Sequence, residues 1–358
     1  MLASPASAHT LANTDRGDRG WVRASVGSLG GGTSRLGEGH APLNDRGQLV
    51  GASRTATGRT HAYLWDPHRG MTDLTPAAVS SSARAVNEAG VVTGVISVRP
   101  GEADGFVWDR RAGLTRIGVD SPQDINRRGE VVGLSPGVWS RRAGLVTFGA
   151  PRDATVAAFD INDRSQVVGF YYSRETGGHR RAFYWDRCVG WKPIGPFGAP
   201  GELPYSQAFD VSPRGLVAGG YVTTRGESRI FVWDARRGGT DLGAVGGALA
   251  GSEGVNAHGR LVVSNGTVVT RRRNQLRIGA PAGRVVHGEG INARGAVVGE
   301  TLGPAGDTRA FVWTPRHGLT DLGPADGPVQ DSYDTVFVND RGQVAVISEG
   351  QARVWSRR

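Results

Sequence analysis

The sequence contains one short motif that could support acid–base chemistry, the HGEG segment from His287 to Gly290. Alternate side chains of an extended strand lie on the same side, so His287 and Glu289 are expected on one face. An imidazole beside a carboxylate is a pair that can move protons in catalysis. Glu253, further upstream, is expected across the same pocket. We name these three residues as catalytic candidates; a polar channel lining without chemistry would contain the same residue types.

A wider set of polar and aromatic residues stands where predicted loops enter the predicted inner strands. Such a mixture suits a polar ligand such as a sugar, with tyrosine stacking and the charged groups hydrogen bonding. The alternative is a solvated channel mouth of the same composition. The ligand-binding candidates are His40, Arg84, Gln123, Tyr205, Gln207, Glu253, His287, Glu289, Tyr333 and Asp334.

The motifs of common catalytic and cofactor sites are absent from the sequence. There is no GxSxG, HExxH, paired CxxC, P-loop or EF-hand ladder of aspartates. The glycine-rich stretch Gly30 to Ser34 is not followed by a helical pattern, as a phosphate-binding loop would be. We therefore predict no cofactor and no bound metal.

An eightfold repeat would position these candidates. Each copy has an anchor, Asn or once Ser, then a tight turn, a β-branched run that usually ends in Gly, and in most copies a segment ending in Trp-Asp. The mean step is about 42 residues, within the range of repeats that build one four-stranded propeller blade. Trp65, Trp108, Trp233 and Trp313 each lie 21 residues after their anchors. The anchors are Asn44, Asn87, Asn126, Asn162, Ser212, Asn256, Asn292 and Asn339.

The repeat predicts an all-β fold, a closed β-propeller of eight four-stranded blades, or seven if the degenerate sixth copy is not a full blade. Tryptophans would fill the space between blades, while Asn and Gly would serve the turns. The eighth copy stops after its third strand. Residues 22–27 would supply the missing outer strand, so that both chain ends meet in one blade and no sheet edge is left open.

Composition limits the domain organisation and the partners. The net charge is +9, but Lys192 is the only lysine, a bias typical of a GC-rich genome, so we interpret the charge as solvated surface and do not expect a nucleic-acid partner. No apolar run approaches the roughly 20 residues that a membrane span needs. Residues 1–20 are predicted to be a flexible tail, either a signal-peptide remnant or simply rich in Ala and Ser, and residues 21–358 a single propeller domain.

The repeat resembles the HAF family of probable extracellular repeat proteins. The closest matches to its pattern are PLNDRGQLVGASRTATGRTHAYLWDPHRGMTDL and GINARGAVVGETLGPAGDTRAFVWTPRHGLTDLG, and the pattern extends over residues 21–358. The His of the family's name is present as His61 and is replaced by Asp104, Arg181, Arg229 and Arg309 in other copies. The resemblance implies secretion and implies no particular activity.

Loop diversity indicates where function would lie. In a propeller the a–b and c–d turns share one face, and the b–c and d–a loops share the other. The first set is short and uniform here and the second is varied, which favours the second as the functional face. We expect a secreted protein that binds a polar small molecule, a glycan, a cell-surface polymer or a protein there; its oligomeric state does not follow from the sequence, and a monomer is assumed. The alternative is a lyase, cyclase or hydrolase acting in the central pocket.

Overall fold

Eight antiparallel sheets form an eight-bladed β-propeller, which confirms the predicted fold. The structure is a computed structural model that describes residues 15–16, 20–195, 205–244, 252–270, 272, 274–326 and 335–357. The degenerate sixth copy forms a complete four-stranded blade, so the count is eight and not seven. Within the described ranges no helix is long and apolar enough to cross a membrane.

Each blade runs from an innermost strand a to an outermost strand d. Strand a of blades 1 to 8 is, in order, β3 (Gly30–Leu36), β7 (Ser80–Val86), β11 (Asp124–Ile125), β15 (Thr155–Ile161), β19 (Tyr205–Val211), β23 (Ser252–Val255), β27 (Val285–Ile291) and β31 (Val336–Val338). Strand b is β4 (Leu49–Thr55), β8 (Val92–Arg99), β12 (Val131–Val132), β16 (Val167–Tyr172), β20 (Val217–Val222), β24 (Arg260–Val263), β28 (Val297–Leu302) and β32 (Val344–Ser348). Strand c is β5 (Thr60–Asp66), β9 (Glu102–Asp109), β13 (Gly137–Ser140), β17 (Arg181–Asp186), β21 (Ser228–Asp234), β25 (Thr267–Thr270), β29 (Thr308–Thr314) and β33 (Gln351–Arg357). Strand d of blades 1 to 7 is β6 (Gly70–Asp73), β10 (Gly113–Arg116), β14 (Gly144–Thr147), β18 (Gly190–Pro193), β22 (Gly238–Ala244), β26 (Gln275–Arg277) and β30 (Gly318–Pro324).

Blade 8 takes its outer strand from the other end of the chain. Strand β2 (Trp21–Ser25) pairs antiparallel with β33, from Trp21 opposite Arg357 to Ser25 opposite Arg353. This confirms the predicted closure, and the strand lies one to two residues earlier than expected. Strand β1 (Asp15–Arg16) adds a fifth strand to the blade. The rest of the predicted tail up to Arg19 lies outside the described residues.

The space between blades is filled by apolar side chains, as the repeat predicted. In one such layer Val50 and Leu64 of blade 1 pack with Ala83 and Phe106 of blade 2. Trp65, Trp139, Trp185, Trp233 and Trp355 are buried, whereas Trp108 and Trp313 are half-buried.

The glycine after the β-branched run of strand b has a packing reason. Strand a bulges against it in most blades, so the two backbones come unusually close. A Cβ atom at Gly169 would lie 1.9 Å from the carbonyl oxygen of Ala157, and one at Gly299 would lie 2.0 Å from that of His287. Any larger residue would push the inner strand into the channel.

The anchors form a ring of side-chain amides, here called the asparagine girdle. Each anchor Asn accepts backbone N–H groups of its own turn through Oδ1, and its Nδ2 donates to the backbone carbonyl of the next anchor at 2.8–3.2 Å. Asn339 completes the circle by donating to Asn44 at 2.8 Å. Ser212 interrupts it, because its hydroxyl accepts the Leu216 N–H at 3.0 Å and is too short to reach the next anchor. The girdle consists of Asn44, Asn87, Asn126, Asn162, Asn256, Asn292 and Asn339.

Candidate functional site

The HGEG motif lies between blades 7 and 8, on the side of the b–c and d–a connections, here called the loop face. His287 Nδ1 lies 3.7 Å from Glu289 Oε1, so the two side chains are on one side of β27 as the alternation predicted. Their exposure differs sharply. The His287 side chain is 53% exposed and that of Glu289 only 4%, so a ligand can reach the imidazole and not the carboxylate.

The buried carboxylate of Glu289 joins two blades. Its Oε2 accepts the backbone N–H groups of Thr335 at 2.6 Å and Val336 at 2.7 Å, at the start of the inner strand of blade 8. Two backbone donors are strong, charge-assisted partners for a carboxylate. Glu289 is therefore a structural acceptor as well as a neighbour of His287.

Glu300 completes this cluster and was not among the sequence candidates. It stands opposite His287 on β28, and the Thr335 hydroxyl donates to its Oε1 at 2.6 Å while lying 3.3 Å from Glu289 Oε2. Burial, and then the negative charge of Glu289, raise the pKa of Glu300 to about 7. The sequence signal that could have identified Glu300 is an acidic residue in the middle of strand b. The equivalent positions of blades 1, 2 and 4 are apolar: Ala52, Val95 and Phe170.

A second feature of the loop face, between blades 4 and 5, is the aromatic–arginine platform of Phe170, Arg180 and Tyr205. The guanidinium carbon of Arg180 lies 4.3 Å from the ring centre of Phe170 and 5.5 Å from that of Tyr205. The Ser206 N–H donates to the Arg180 carbonyl at 3.0 Å, which fixes the end of the b–c loop beside strand a. Gln207 is half-buried two residues beyond Tyr205. The sequence identified Tyr205 and Gln207; Arg180 was hidden in a long, polar loop.

Three further candidates meet over blades 1 to 3. The His40 N–H donates to the Gln123 carbonyl at 3.3 Å, and Arg84 Nη2 lies 3.8 Å from Glu38 Oε2. The Arg84 atoms Nε and Nη1 are buried and have no hydrogen-bond partner within the described chain. Gln123 is buried and His40 is exposed, so His40 is the most accessible of the three.

The remaining candidates cannot be placed in the same way. Tyr333 and Asp334 lie outside the described residues. Glu253 belongs to β23, but its side chain is outside the described part of the chain. The described candidates thus occupy separate sectors of the ring, around His40, Tyr205 and His287.

The central channel holds a cavity of about 340 Å³, and three aspartates that the sequence analysis overlooked line it. Asp124, Asp160 and Asp210 each stand two residues before an anchor. Their Oδ2 atoms accept backbone N–H groups of the following blade at 3.1, 2.6 and 2.6 Å. Burial, and then the charges of Asp210 and Asp124, raise the pKa of Asp160 well above its usual value. In the described ranges, no three His, Cys, Asp or Glu side chains are grouped so as to hold a metal ion.

Comparison with known proteins supports the fold. By sequence the chain matches no family model and no curated protein. By structure it is similar to an oligogalacturonate lyase from Vibrio parahaemolyticus, with a TM-score of 0.51 and 8% identity over 96% of both chains. A streptogramin B lyase gives a TM-score of 0.43 and 9% identity over 96% of this chain and 100% of that one. An Aleuria aurantia lectin gives a TM-score of 0.36 and 12% identity over 83% of this chain and 98% of the lectin. At these identities the likeness is one of fold: the chain is an eight-bladed β-propeller.

Proposed function

We propose that this protein is a secreted recognition protein whose loop face binds a polar ligand, with a glycan as the ligand class that suits it best. The aromatic–arginine platform is the observation that carries this proposal. Tyr205 presents a half-buried ring beside a guanidinium group, which combines an apolar surface with hydrogen-bond donors. Sugars offer apolar C–H faces and hydroxyl acceptors, so both parts of the platform have a partner. Secretion rests on the resemblance to HAF proteins.

Burial supports binding over catalysis. The two carboxylates of the HGEG cluster, Glu289 and Glu300, are 4% and 3% exposed, and Glu289 is engaged by two backbone donors. A general acid or base must come within hydrogen-bond reach of its substrate. Of the HGEG cluster, only the His287 imidazole meets that requirement directly.

Glycan binding by the full chain tests the proposal. Screening immobilised neutral oligosaccharides should identify a ligand, and Tyr205→Ala should weaken its binding at least tenfold by removing the stacking surface. Leu302→Ala, which trims an exposed side chain on the same face, is the matched control and should leave binding unchanged. Equal affinity of the Tyr205→Ala and parent proteins would contradict the proposal.

One observation favours an enzyme as the second candidate. Glu300, with a pKa of about 7, stands opposite an exposed imidazole, an arrangement that could serve acid–base chemistry if the ligand opens the blade 7–8 boundary. Mass spectrometry of the bound oligosaccharide after incubation decides between the two functions. Cleavage that is lost in Glu300→Gln with binding retained would establish the enzyme, and an intact ligand would exclude it for that substrate.

A further inference from the structure

The opposite side of the ring, formed by the a–b and c–d turns and here called the turn face, contains a cavity of its own. It has a volume of about 580 Å³ and lies between blades 1 and 2, with one turn of blade 8 at its edge. Such a volume is typical of small-ligand sites. Its lining includes Arg46, Leu64, Arg69, Trp108, Arg110 and Arg341.

The equivalent space between blades 4 and 5 is occupied by an aromatic side chain. Between blades 4 and 5 the ring of Tyr184 lies 5.0 Å from that of Trp233, and its hydroxyl donates to Asp186 Oδ2 at 2.5 Å. Leu64 is the equivalent of Tyr184, and Trp108 is the equivalent of Trp233. The smaller side chain leaves the half-buried indole of Trp108 in the cavity wall.

The charge around the cavity is not neutralised by the protein. Arg46, Arg69, Arg110 and Arg341 are exposed, and their guanidinium groups have no carboxylate partner among the described residues. The carboxylate of Asp66 also lies at the cavity; it accepts hydrogen bonds from Gln48 Nε2 and from the His68 N–H, both at 2.9 Å, and forms no ion pair with these arginines.

Some arginines elsewhere on the turn face do have carboxylate partners. Arg187 lies 2.8 Å from Glu130, and Arg141 lies 2.9 Å from Asp109. Gln48 stands in blade 1 at the position of Glu130 in blade 3, so the cavity lacks the acid that would pair with an arginine there. Four arginines against the single carboxylate of Asp66 leave the lining of the cavity with a net positive charge.

We propose that this cavity binds an anionic sugar unit, a ring bearing a carboxylate or a sulfate, from an acidic polysaccharide. Guanidinium forks match the planar oxygens of such groups bidentately, and the indole of Trp108 offers the ring an apolar wall. The site is independent of the loop-face ligand. The uniform turns of this face made it the less favoured one from sequence, and the open cavity is the reason to assign a site there.

The shape of the site favours a sugar over a nucleic acid. A duplex is convex and is contacted along its phosphates by extended surfaces, and a single strand needs several aromatic platforms in a row. The cavity is concave and has one indole.

Titration calorimetry with the full chain tests the proposal. The probes are oligogalacturonate for the carboxylate, a heparin-derived oligosaccharide for the sulfate, a neutral oligosaccharide of equal length, and single-stranded and duplex DNA. We expect one or both acidic oligosaccharides to bind, the neutral one to bind at least tenfold more weakly, and DNA to bind no better than the acidic sugar. Tighter binding of DNA, or no binding of either acidic sugar at millimolar concentration, would overturn the proposal.

Two variants locate the site. Leu64→Tyr reproduces the side chain that fills the equivalent space in blade 4 and should lower the affinity for the acidic sugar at least tenfold. The double variant Arg46→Ala and Arg341→Ala changes only exposed residues and should do the same, so the test does not depend on how Leu64→Tyr folds. Arg294→Ala removes an equivalent charge away from the cavity and should change affinity less than threefold. Tyr205→Ala should not change the affinity for the acidic sugar, which separates this site from the loop-face proposal. Equal losses of affinity in Arg294→Ala and in the double variant would mean that overall charge drives binding, and would refute the assignment of the site to this cavity.

Discussion

The asparagine girdle lacks one blade-to-blade hydrogen bond, at Ser212. The contribution of this bond to stability can therefore be measured both by adding it there and by removing it at another anchor. Ser212 adopts the same turn as the other anchors: its N–H donates to the Leu216 carbonyl and the Gly215 N–H donates back to it, both at 2.8 Å, while the corresponding bonds of Asn292 are 3.0 and 2.9 Å. The backbone is therefore already in place for an amide. Ser212→Asn should add the missing blade-to-blade bond, and Asn292→Ser should remove an existing one.

The magnitude follows from the bonds that change. Asn292 donates to the Asn339 carbonyl at 2.9 Å and accepts the Arg294 and Ala296 N–H groups at 3.1 and 2.9 Å, whereas Ser212 accepts a single turn N–H. Asn292→Ser thus loses two hydrogen bonds. At about 0.5–1.5 kcal/mol each, the loss in the free energy of unfolding is about 1–3 kcal/mol. Ser212→Asn should gain less, about 1 kcal/mol, because ordering the longer side chain offsets part of the benefit.

Urea unfolding followed by tryptophan fluorescence measures both changes. With an m-value of about 3 kcal/mol/M, Asn292→Ser should lower the midpoint by about 0.3–1 M, and Ser212→Asn should raise it by about 0.3 M. The m-value itself should stay constant, since the exposed surface does not change. A midpoint that falls in both variants, or moves in neither, would show that the girdle does not stabilise the ring.

Three further predictions concern the core, the buried acid and the closure. Trp65→Ala should destabilise the protein by about 3–5 kcal/mol because Trp65 is buried, with a smaller loss in Trp108→Ala; equal urea midpoints for the two variants would contradict the packing described. Because folding raises the pKa of Glu300 from 4.5 to about 7, its contribution to stability is fully present below pH 4.5 and is lost as the pH rises through 7. Glu300→Gln should reduce the change in the free energy of unfolding over this pH range by up to about 3 kcal/mol, and an unchanged pH dependence would argue against the raised pKa. Deleting residues 1–25 removes β1 and β2 and leaves β33 as an open edge, so light scattering should report association; a monomeric, cooperatively unfolding deletion protein would refute closure.

Much of the architecture could be predicted from the sequence because repetition reports it directly. The 21-residue spacing from anchor to tryptophan in four of the copies identified strand c, and the truncated eighth copy identified the closure. The anchor asparagines were read as turn residues, and they do accept N–H groups within their own turns. Their bond to the next blade was invisible, since it depends on a carbonyl some 36–50 residues away in the chain, and about 295 away at the ring closure.

The candidate site was less predictable because exposure is not encoded in residue type. Glu289 and His287 were named together from alternation, yet one is buried against blade 8 and the other faces solvent. Glu300, Arg180 and the channel aspartates become significant only when neighbouring blades are placed beside them. The turn-face cavity has no signal of its own in the sequence, because six other blades also have an aliphatic residue at the position of Leu64 and only blade 4 has an aromatic one, Tyr184.

The construction of blade 8 from both ends of the chain has a consequence for how the protein folds. Blades 1 to 7 each draw on one continuous segment, so they can form in order as the chain is synthesised. Blade 8 must wait for its last strand, and its formation closes a loop of nearly the whole chain. The entropic cost of that closure grows only with the logarithm of loop length, so it is modest. Until it happens, however, the molecule is an open arc whose two unpaired edges can pair with each other or with a second chain. Refolding at high protein concentration is therefore expected to produce strand-swapped oligomers joined through β2 and β33.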